Sequence, residues 1–262
     1  MSETSYLSSV RASYDAVAVD YARLLGSDLD GRPLDRAMLA AFAECVRAEG
    51  GGGAGGPVVA DVGCGPGRIT ARLDALGLRA FGVDLSPAMV AVARRTYPGL
   101  RFEVGSMGSL DVADGVLGGV LAWYSTVHTP PAGLPPLFAE FARVLAPGGH
   151  LLIAFKAGDR RIRLDHAYGH RVDLDVYWTP PDLIAGLLAD AGLAEVARLV
   201  RQPGAREGGP QGFLLARRTD DGERAAGERT AGERTARERA AGERTAREAE
   251  PGVAREGAAP GR

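Results

Sequence analysis

The stretch VVADVGCGPGR, residues 58–68, decides the fold of this chain. It begins with the near-continuous apolar character of a central parallel strand, continues into a glycine-rich turn and then opens a helix. Gly63, Gly65 and Gly67 carry no side chain that would keep a ligand away from the backbone. We therefore predict a nucleotide-binding strand, turn and helix in which the backbone itself contacts the ligand.

The glycine spacing indicates the kind of ligand. The pattern is G-x-G-x-G, whereas G-x-G-x-x-G is the pattern that holds a dinucleotide pyrophosphate at a helix N-terminus. Asp61 comes two residues before the first glycine, where its carboxylate suits a cationic ammonium or a bridging water and repels a phosphate. The motif favours an amino-acid zwitterion, and an NAD-dependent oxidoreductase is the weaker enzyme alternative.

A second strand ends in an acid. Residues 80–86, AFGVDLS, are apolar up to Asp84, and Ser86 followed by Pro87 predicts an N-cap with proline at the first helical position. In doubly wound sheets ligands bind outside the carboxyl ends of the strands, where an acid typically takes both hydroxyls of a ribose. Asp84 is therefore the predicted ribose ligand.

Strands and helices alternate along the central part of the chain. The apolar pattern predicts strands at residues 58–63, 80–84, 100–104, 117–123 and 150–155, and helices that begin at residues 68, 87 and 134. Such alternation predicts an α/β fold, a Rossmann-like doubly wound and mostly parallel sheet. Apolar residues at helical spacing over residues 14–48 predict helices before the sheet, so residues 1–50 are interpreted as an N-terminal helical cap.

Two motifs together resemble a known family. DVGCGPG at residues 61–67 and GVDLSPAM at residues 82–89 are similar to the first two motifs of class I S-adenosylmethionine-dependent methyltransferases, in particular the small-molecule branch. The resemblance runs from about Tyr14 to about Arg217. It implies S-adenosyl-L-methionine as the cofactor and methyl transfer to an oxygen or nitrogen of a small molecule, with a setting in secondary metabolism. It also implies a helix at residues 181–191 and a last pair of strands at residues 195–201 and 212–217.

The resemblance further implies which residues bind the cofactor. The glycine turn would face its methionine part, and Leu85 and Met89 would lie beside the adenine. Ser106 and Met107 stand where the family often has an acid that contacts the adenine amine. The implied set is Tyr14, Tyr21, Asp61, Gly63, Cys64, Gly65, Asp84, Leu85, Met89, Ser106, Met107, Ala122 and Trp123.

Candidate catalytic residues follow the fourth strand, in WYSTVHTPP at residues 123–131. His128 is the leading candidate for a general base, because histidine titrates near ambient pH. The alternative is that His128 hydrogen-bonds a backbone carbonyl or orients the loop. Tyr124 would pack a planar acceptor or contact the sulfonium through cation–π attraction, or belong to the core. His166 and His170 are weaker candidates.

Residues 157–179 alternate apolar and polar side chains around a turn at residues 168–170, which predicts a β-hairpin inserted after strand five. The hairpin either helps to build an acceptor pocket or only caps the core. From residue 219 to residue 262 a repeat of the type GERAA and GERTA predicts a low-complexity, disordered tail. The methyltransferase core would then span residues 57–218.

Composition limits the partners. The formal net charge of the 262 residues is -2 without a basic stripe, so nucleic acid is a disfavoured partner. No apolar run approaches the roughly 20 residues of a membrane helix, so we expect a protein that does not bind membranes. The two cysteines, Cys45 and Cys64, fit a reducing compartment, so we expect a cytoplasmic protein. No metal site is predicted, and both a monomer and a homodimer remain open as the oligomeric state.

A cofactor-binding protein or a cyclase without methyl transfer is the alternative to a methyltransferase.

Overall fold

The structure is a computed structural model that describes residues 3–25, 29–49, 56–205 and 207–219. The described residues belong to one compact unit. Apart from Thr219, the predicted tail lies outside the described residues, so its disorder stays a prediction. None of the described helices is both long enough and apolar enough to cross a bilayer.

The secondary structure follows the predicted alternation. Two helices come first, α1 (Glu3–Leu25) and α2 (Pro33–Glu49). The central part contains β1 (Val58–Val62), α3 (Arg68–Ala75), β2 (Arg79–Asp84), α4 (Pro87–Thr96), β3 (Arg101–Val104), β4 (Leu117–Trp123), α5 (Leu134–Val144) and β5 (Leu145–Lys156). The last part contains β6 (Arg160–Ala167), β7 (His170–Trp178), α6 (Pro181–Asp190), β8 (Leu193–Arg201) and β9 (Gln211–Arg218).

Seven of the strands form one sheet in the order β3-β2-β1-β4-β5-β9-β8. Strands β1 to β5 pair with one another in parallel, and β9 is antiparallel to both β5 and β8. The predicted doubly wound, mostly parallel sheet is confirmed. The chain order reverses between β1 and β4, and a crevice for a ligand opens at such a switch point outside the strand ends.

The apolar character of the central strands has a simple cause, since helices cover both faces of the sheet. Val59 and its neighbours pack against α2, where Phe42 is fully buried, and Ala60 and its neighbours pack against α5, where Phe138 is fully buried. Each such phenylalanine contributes roughly 1.5–3 kcal/mol by burial. The core therefore holds the strand ends, and the side chains that follow them, in place.

The predicted hairpin after β5 is confirmed. Ile162 pairs with Val176 and Leu164 pairs with Leu174, and this apolar face packs on Val127 in the segment that follows β4. Tyr168 and Gly169 have φ of 54° and 85° in the connecting turn. Two successive residues with positive φ match the twist of the strands in a two-residue hairpin turn.

Two element boundaries differ from the sequence prediction. Helix α1 begins at Glu3, well before Tyr14, and its Val17 and Ala18 pack against Met89 of α4 rather than against the sheet. Strand β5 begins at Leu145, which pairs with Leu117 before a β-bulge interrupts the ladder. The prediction began this strand at His150, because Pro147-Gly148-Gly149 also matches a loop that follows a helix.

Candidate cofactor and acceptor site

The glycine turn after β1 adopts a conformation that favours glycine. Gly63, Gly65 and Gly67 have φ of 70°, 54° and 83°. A Cβ on Gly63 would lie 2.3 Å from the Cβ of Ser125, so the turn packs directly on the segment after β4. A Cβ on Gly65 would meet nothing nearer than a ring carbon of Tyr21 at 3.9 Å. The backbone at Gly65 therefore faces open space that a ligand can enter.

Asp84, at the end of β2, is held by backbone amides. Its Oδ2 accepts a hydrogen bond from the Gly65 amide at 2.7 Å, and its Oδ1 accepts one from the Ser86 amide at 2.8 Å. Burial raises the pKa of Asp84, and these two amide bonds oppose the shift. Each carboxylate oxygen keeps a further lone pair, so the oriented group can accept two hydroxyls.

Asp61 lies beneath the turn and is almost completely buried. Its Oδ2 accepts a hydrogen bond from the Thr70 hydroxyl at 2.6 Å, whereas its Oδ1 has no hydrogen-bond partner among the described residues. Burial is the main cause that raises the pKa of Asp61 to about 7. A bound cation beside Oδ1 would stabilise the charged form and supply the missing partner.

Three buried hydroxyl oxygens near β4 also lack a hydrogen-bond partner within the described ranges: Tyr124 OH, Ser125 Oγ and Thr129 Oγ1. All three residues line the crevice above the glycine turn. Buried polar groups in folded proteins are nearly always hydrogen-bonded, so these atoms suit a polar ligand. Tyr124 also has a φ of 56°, and such strain in a residue with a Cβ is common at binding sites.

His128 is buried and makes two hydrogen bonds. Its Nδ1 lies 2.6 Å from the carbonyl oxygen of Asp175, and its Nε2 lies 2.8 Å from the hydroxyl of Tyr14. A carbonyl only accepts, so Nδ1 carries the proton, and the lone pair of Nε2 accepts from Tyr14. Burial lowers the pKa of His128 and raises that of Tyr14, which keeps the pair neutral. Both sequence interpretations of His128 agree with this geometry, since the ring bonds a carbonyl and also lines the crevice.

Two cavities meet at this pair. The first is the crevice above the glycine turn, and the second has a volume of about 450 Å³ and lies between α1, the end of β4 and the hairpin. They share five residues as walls: Tyr14, Tyr21, Trp123, Tyr124 and His128. A ligand in one cavity can therefore reach a ligand in the other.

The structure brings most of the predicted cofactor residues together. The first cavity is lined by Tyr14, Tyr21, Gly63, Gly65, Asp84, Leu85, Met89, Ser106, Met107 and Trp123. Asp61 lies below this lining. The side chain of Cys64 packs with Val90 and Phe102, and that of Ala122 belongs to the core, so these two can offer only their backbone to a ligand.

The other candidates lie elsewhere or were missed. His166 is exposed beside Asp165, and His170 bonds Asp20 at 2.9 Å, so neither lines the two cavities. The predicted site residues did not include eight wall residues of the first cavity: Tyr6, Leu7, Val10, Arg11, Ser86, Gly105, Ser125 and Thr129. The helical spacing of Leu7, Val10 and Tyr14 was the sequence signal that could have identified the wall residues of α1.

In the described part of the chain, no cluster of histidine, cysteine or acidic side chains could hold a metal ion.

Comparison with known proteins identifies the domain. Residues 59–149 match the family model of a methyltransferase domain. The chain is 34% identical to an uncharacterized methyltransferase of Mycobacterium bovis over 104 residues. This alignment covers 40% of this chain and 42% of that relative. It is 37% identical over 100 residues to a trans-aconitate 2-methyltransferase of Methylobacterium nodulans, 36% of each chain. The similarity thus spans about two fifths of the length of these relatives.

Solved structures extend the similarity over most of the fold. Magnesium protoporphyrin IX methyltransferase from Synechocystis, with bound S-adenosylmethionine, superposes with a TM-score of 0.61 at 18% identity, covering 82% of this chain and 97% of that chain. Burkholderia thailandensis 1,6-didemethyltoxoflavin-N1-methyltransferase, with its acceptor and S-adenosylhomocysteine, gives 0.53 at 27% identity, with coverages of 80% and 91%. The matched region at residues 59–149 is a methyltransferase domain, and the sheet around it has the fold of S-adenosylmethionine-dependent methyltransferases.

Proposed function

We propose that this protein transfers a methyl group from S-adenosyl-L-methionine to an oxygen or nitrogen of a small-molecule acceptor. The observation that carries the proposal is the junction of the two cavities at Tyr14 and His128. One cavity is the crevice at the carboxyl ends of β1 and β2, and the other is a larger space between α1, the end of β4 and the hairpin. Methyl transfer needs two ligands that are aligned and shielded from water, and two adjoining cavities can supply this.

The residues present fit this cofactor. Asp84 would accept the ribose hydroxyls, and the orphaned Oδ1 of Asp61 would accept the ammonium group or a water that bridges to it. Met89 and Met107 would pack beside the adenine. When bound, the cofactor supplies an electrophilic methyl group on a sulfonium. Trp123 and Tyr124 line both cavities, where their rings would face this positive charge.

The Tyr14–His128 pair would move the proton of the acceptor. The carbonyl of Asp175 holds His128 in the tautomer whose Nε2 is free to accept a proton. As the O–H or N–H bond of the acceptor breaks, the oxygen of Tyr14 takes that proton and gives its own proton to Nε2. The high pKa of Tyr14 opposes a lasting phenolate, so the proton is passed on rather than stored.

The finer parts of the proposal follow from the sequence. The small number of cysteines supports a reducing, cytoplasmic setting. The resemblance to the small-molecule branch supports a role in secondary metabolism. The boundary of the core at residue 218 belongs to the same proposal.

The first test is calorimetric titration of the full chain with S-adenosylmethionine, S-adenosylhomocysteine and NAD. Micromolar binding of the first two without binding of NAD is expected. Asp84→Asn should weaken the binding by about 10- to 100-fold, because hydrogen bonds to a charged group contribute about 1.5–3 kcal/mol. Glu103→Gln, which changes a carboxylate of the neighbouring strand that does not line the crevice, is the matched control.

Failure of the folded protein to bind either compound would overturn the proposal. A screen of small-molecule acceptors for S-adenosylhomocysteine formation follows. A protein that binds the cofactor but never forms this product is a binding module, and a product without added mass is the mark of a cyclase.

A further inference from the structure

The second cavity has the size and walls of a small-molecule site. Its volume of about 450 Å³ lies in the range of ordinary ligand pockets. Its walls are mainly apolar or aromatic and come from α1, the end of β4 and the hairpin; they include Leu25, Trp123, Val127, Leu164, Leu174 and Val176. An acceptor in this space would bury an apolar body.

The charged groups of this cavity are mostly cationic. Arg32, Arg68 and Lys156 line it, and Glu207 is its one acidic wall residue within the described ranges. Glu207 is already engaged, because it accepts hydrogen bonds from Arg201 at 2.5 and 2.8 Å and from Arg32 at 2.6 Å. These arginines, Arg201 foremost, lower the pKa of Glu207 to about 2. The cavity therefore has an excess of positive charge that its own acid does not neutralise.

Lys156 lines this cavity and has no acidic partner among the described residues. It is the last residue of β5 and is half-buried, with its Nζ 4.9 Å from the centre of the Trp178 ring. No carboxylate of the described residues lies within ion-pair distance of Nζ. Burial lowers the pKa of Lys156, Arg160 and Arg32 add to this effect, and Glu207 opposes it. A partly desolvated ammonium of this kind gains most from an anion that a ligand brings.

We infer that the acceptor carries a carboxylate, which pairs with Lys156 while its apolar body fills the second cavity. This inference rests on the proposed function and gives its acceptor a chemical class. Lysine is a compact point charge that can pair with a carboxylate in many orientations. It is also the sole lysine of the 262 residues, so the charge can be observed without interference.

The test uses the full chain saturated with S-adenosylhomocysteine and labelled with ¹³C at the lysine Cε, which gives one side-chain signal. Three acids are titrated against their neutral primary amides: benzoate with benzamide, cinnamate with cinnamamide, and octanoate with octanamide. We expect one acid or more to bind about tenfold more tightly than its amide. That acid should also raise the titration midpoint of the Lys156 signal, and its amide should leave the midpoint unchanged.

Lys156→Gln should remove the preference for the acid, and Lys156→Arg should keep part of it. Arg160→Gln is the matched control, because its guanidinium stacks 4.2 Å from the same Trp178 ring but does not line the cavity. This variant should keep the full preference. If Lys156→Gln does not fold, the midpoint shift in the unmodified chain decides the question.

The inference is overturned if every acid binds no better than its amide, or if the preference survives in Lys156→Gln. These outcomes leave the proposed function intact as long as S-adenosylhomocysteine binds. If S-adenosylhomocysteine itself does not bind, the proposed function fails instead. The two failures are therefore distinguishable.

Discussion

The two cavities of the site are built in different ways. In the first cavity, the proposed cofactor crevice, the carboxylate of Asp84 is oriented by backbone amides such as that of Gly65, at the ends of two neighbouring parallel strands. Helix α1 and the segments after β3 and β4 supply most of its other walls. The second cavity, the proposed acceptor cavity, lies between α1, the segment after β4, the end of β5 and the hairpin, which are far apart in the sequence. The comparison teaches that a short motif fixes the oriented acid of the first cavity, whereas the remaining walls of both cavities depend on how distant segments pack.

Helix α1 connects the two halves. The carboxylate of Asp15 accepts hydrogen bonds from the Ser86 hydroxyl at 2.5 Å and from the Ala88 amide at 3.1 Å, at the start of α4. On its other side, Ser13 accepts a hydrogen bond from the Asp173 amide of the hairpin at 3.0 Å. Tyr14 lies between these contacts and holds His128. In the proposed function, this helix would set the geometry between cofactor and acceptor.

The largest effect should come from Gly63→Ala, which changes the glycine turn of the first cavity. The new Cβ would overlap Ser125 at 2.3 Å, in a conformation with a φ of 70°. We expect a loss of about 3 kcal/mol or more of stability, from overpacking and strain together, and loss of S-adenosylhomocysteine binding. Gly169→Ala is the control, because its φ of 85° is similar but nothing lies within 4 Å. Its cost should be about 1 kcal/mol, measured by chemical denaturation, and equal costs would contradict the packing argument.

The next effect concerns the acceptor half. His128→Asn should lower turnover with the acceptor found in the screen by about 10²- to 10⁴-fold, since it removes the base. Cofactor affinity should change little, and Tyr14→Phe should lower turnover by a smaller factor. His150→Asn changes another buried histidine, one that does not line either cavity, and should leave turnover unchanged. Unchanged turnover in His128→Asn would mean that the acceptor loses its proton without a base.

The third prediction separates cofactor binding from stability through pH. The pKa of Asp61 is raised to about 7 in the folded protein. The folded state therefore binds a proton at Asp61 more tightly than the unfolded chain does. Its contribution to stability is therefore present below about pH 4 and is lost as pH rises through about 7. The affinity for S-adenosylmethionine should change in the opposite direction and rise about tenfold from pH 6 to pH 8, because the ammonium pairs with the charged carboxylate.

Asp61→Asn is the matched variant, since its side-chain oxygen can still accept the bond from Thr70. Its affinity for S-adenosylmethionine should be lower and nearly independent of pH in calorimetric titrations between pH 6 and pH 8. A wild-type affinity that does not rise with pH would rule out the assignment of Asp61 to the ammonium.

The smallest effect should come from the contact between α1 and the hairpin turn. His170 bonds Asp20 at 2.9 Å and lowers the pKa of this exposed carboxylate. The contribution of Asp20 to stability is therefore present at a pH above the ordinary pKa of an aspartate, and it is lost as the pH falls below that pKa. His170→Asn should weaken S-adenosylhomocysteine binding by less than about twofold at pH 6, because exposed ion pairs contribute little. His166→Asn serves as the control, and a tenfold loss in His170→Asn alone would show that this contact closes the site.

The sequence predicted the sheet and brought Asp84 next to the glycine turn, for identifiable reasons. Asp84 and Gly65 lie 19 residues apart, yet parallel pairing of β1 with β2 must bring their strand ends together. The start of α1 was not set by the sequence, because the resemblance begins near Tyr14, whereas the structure begins this helix at Glu3. The hydrogen bonds of His128 could not be predicted, because both partners come from segments that only tertiary packing brings near.

The sequence by itself determined the alternation of elements, the glycine turn and the acid at the end of β2. These features are local: strand periodicity, positive φ at glycine and helix capping depend on neighbouring residues. Only the tertiary structure decided that α1 borders both cavities and that His128 exposes Nε2 to Tyr14. It also decided that Lys156 lines the second cavity with no carboxylate of the described residues paired to it. Such contacts depend on how separate elements pack around one core, and side-chain patterns along the chain do not record that arrangement.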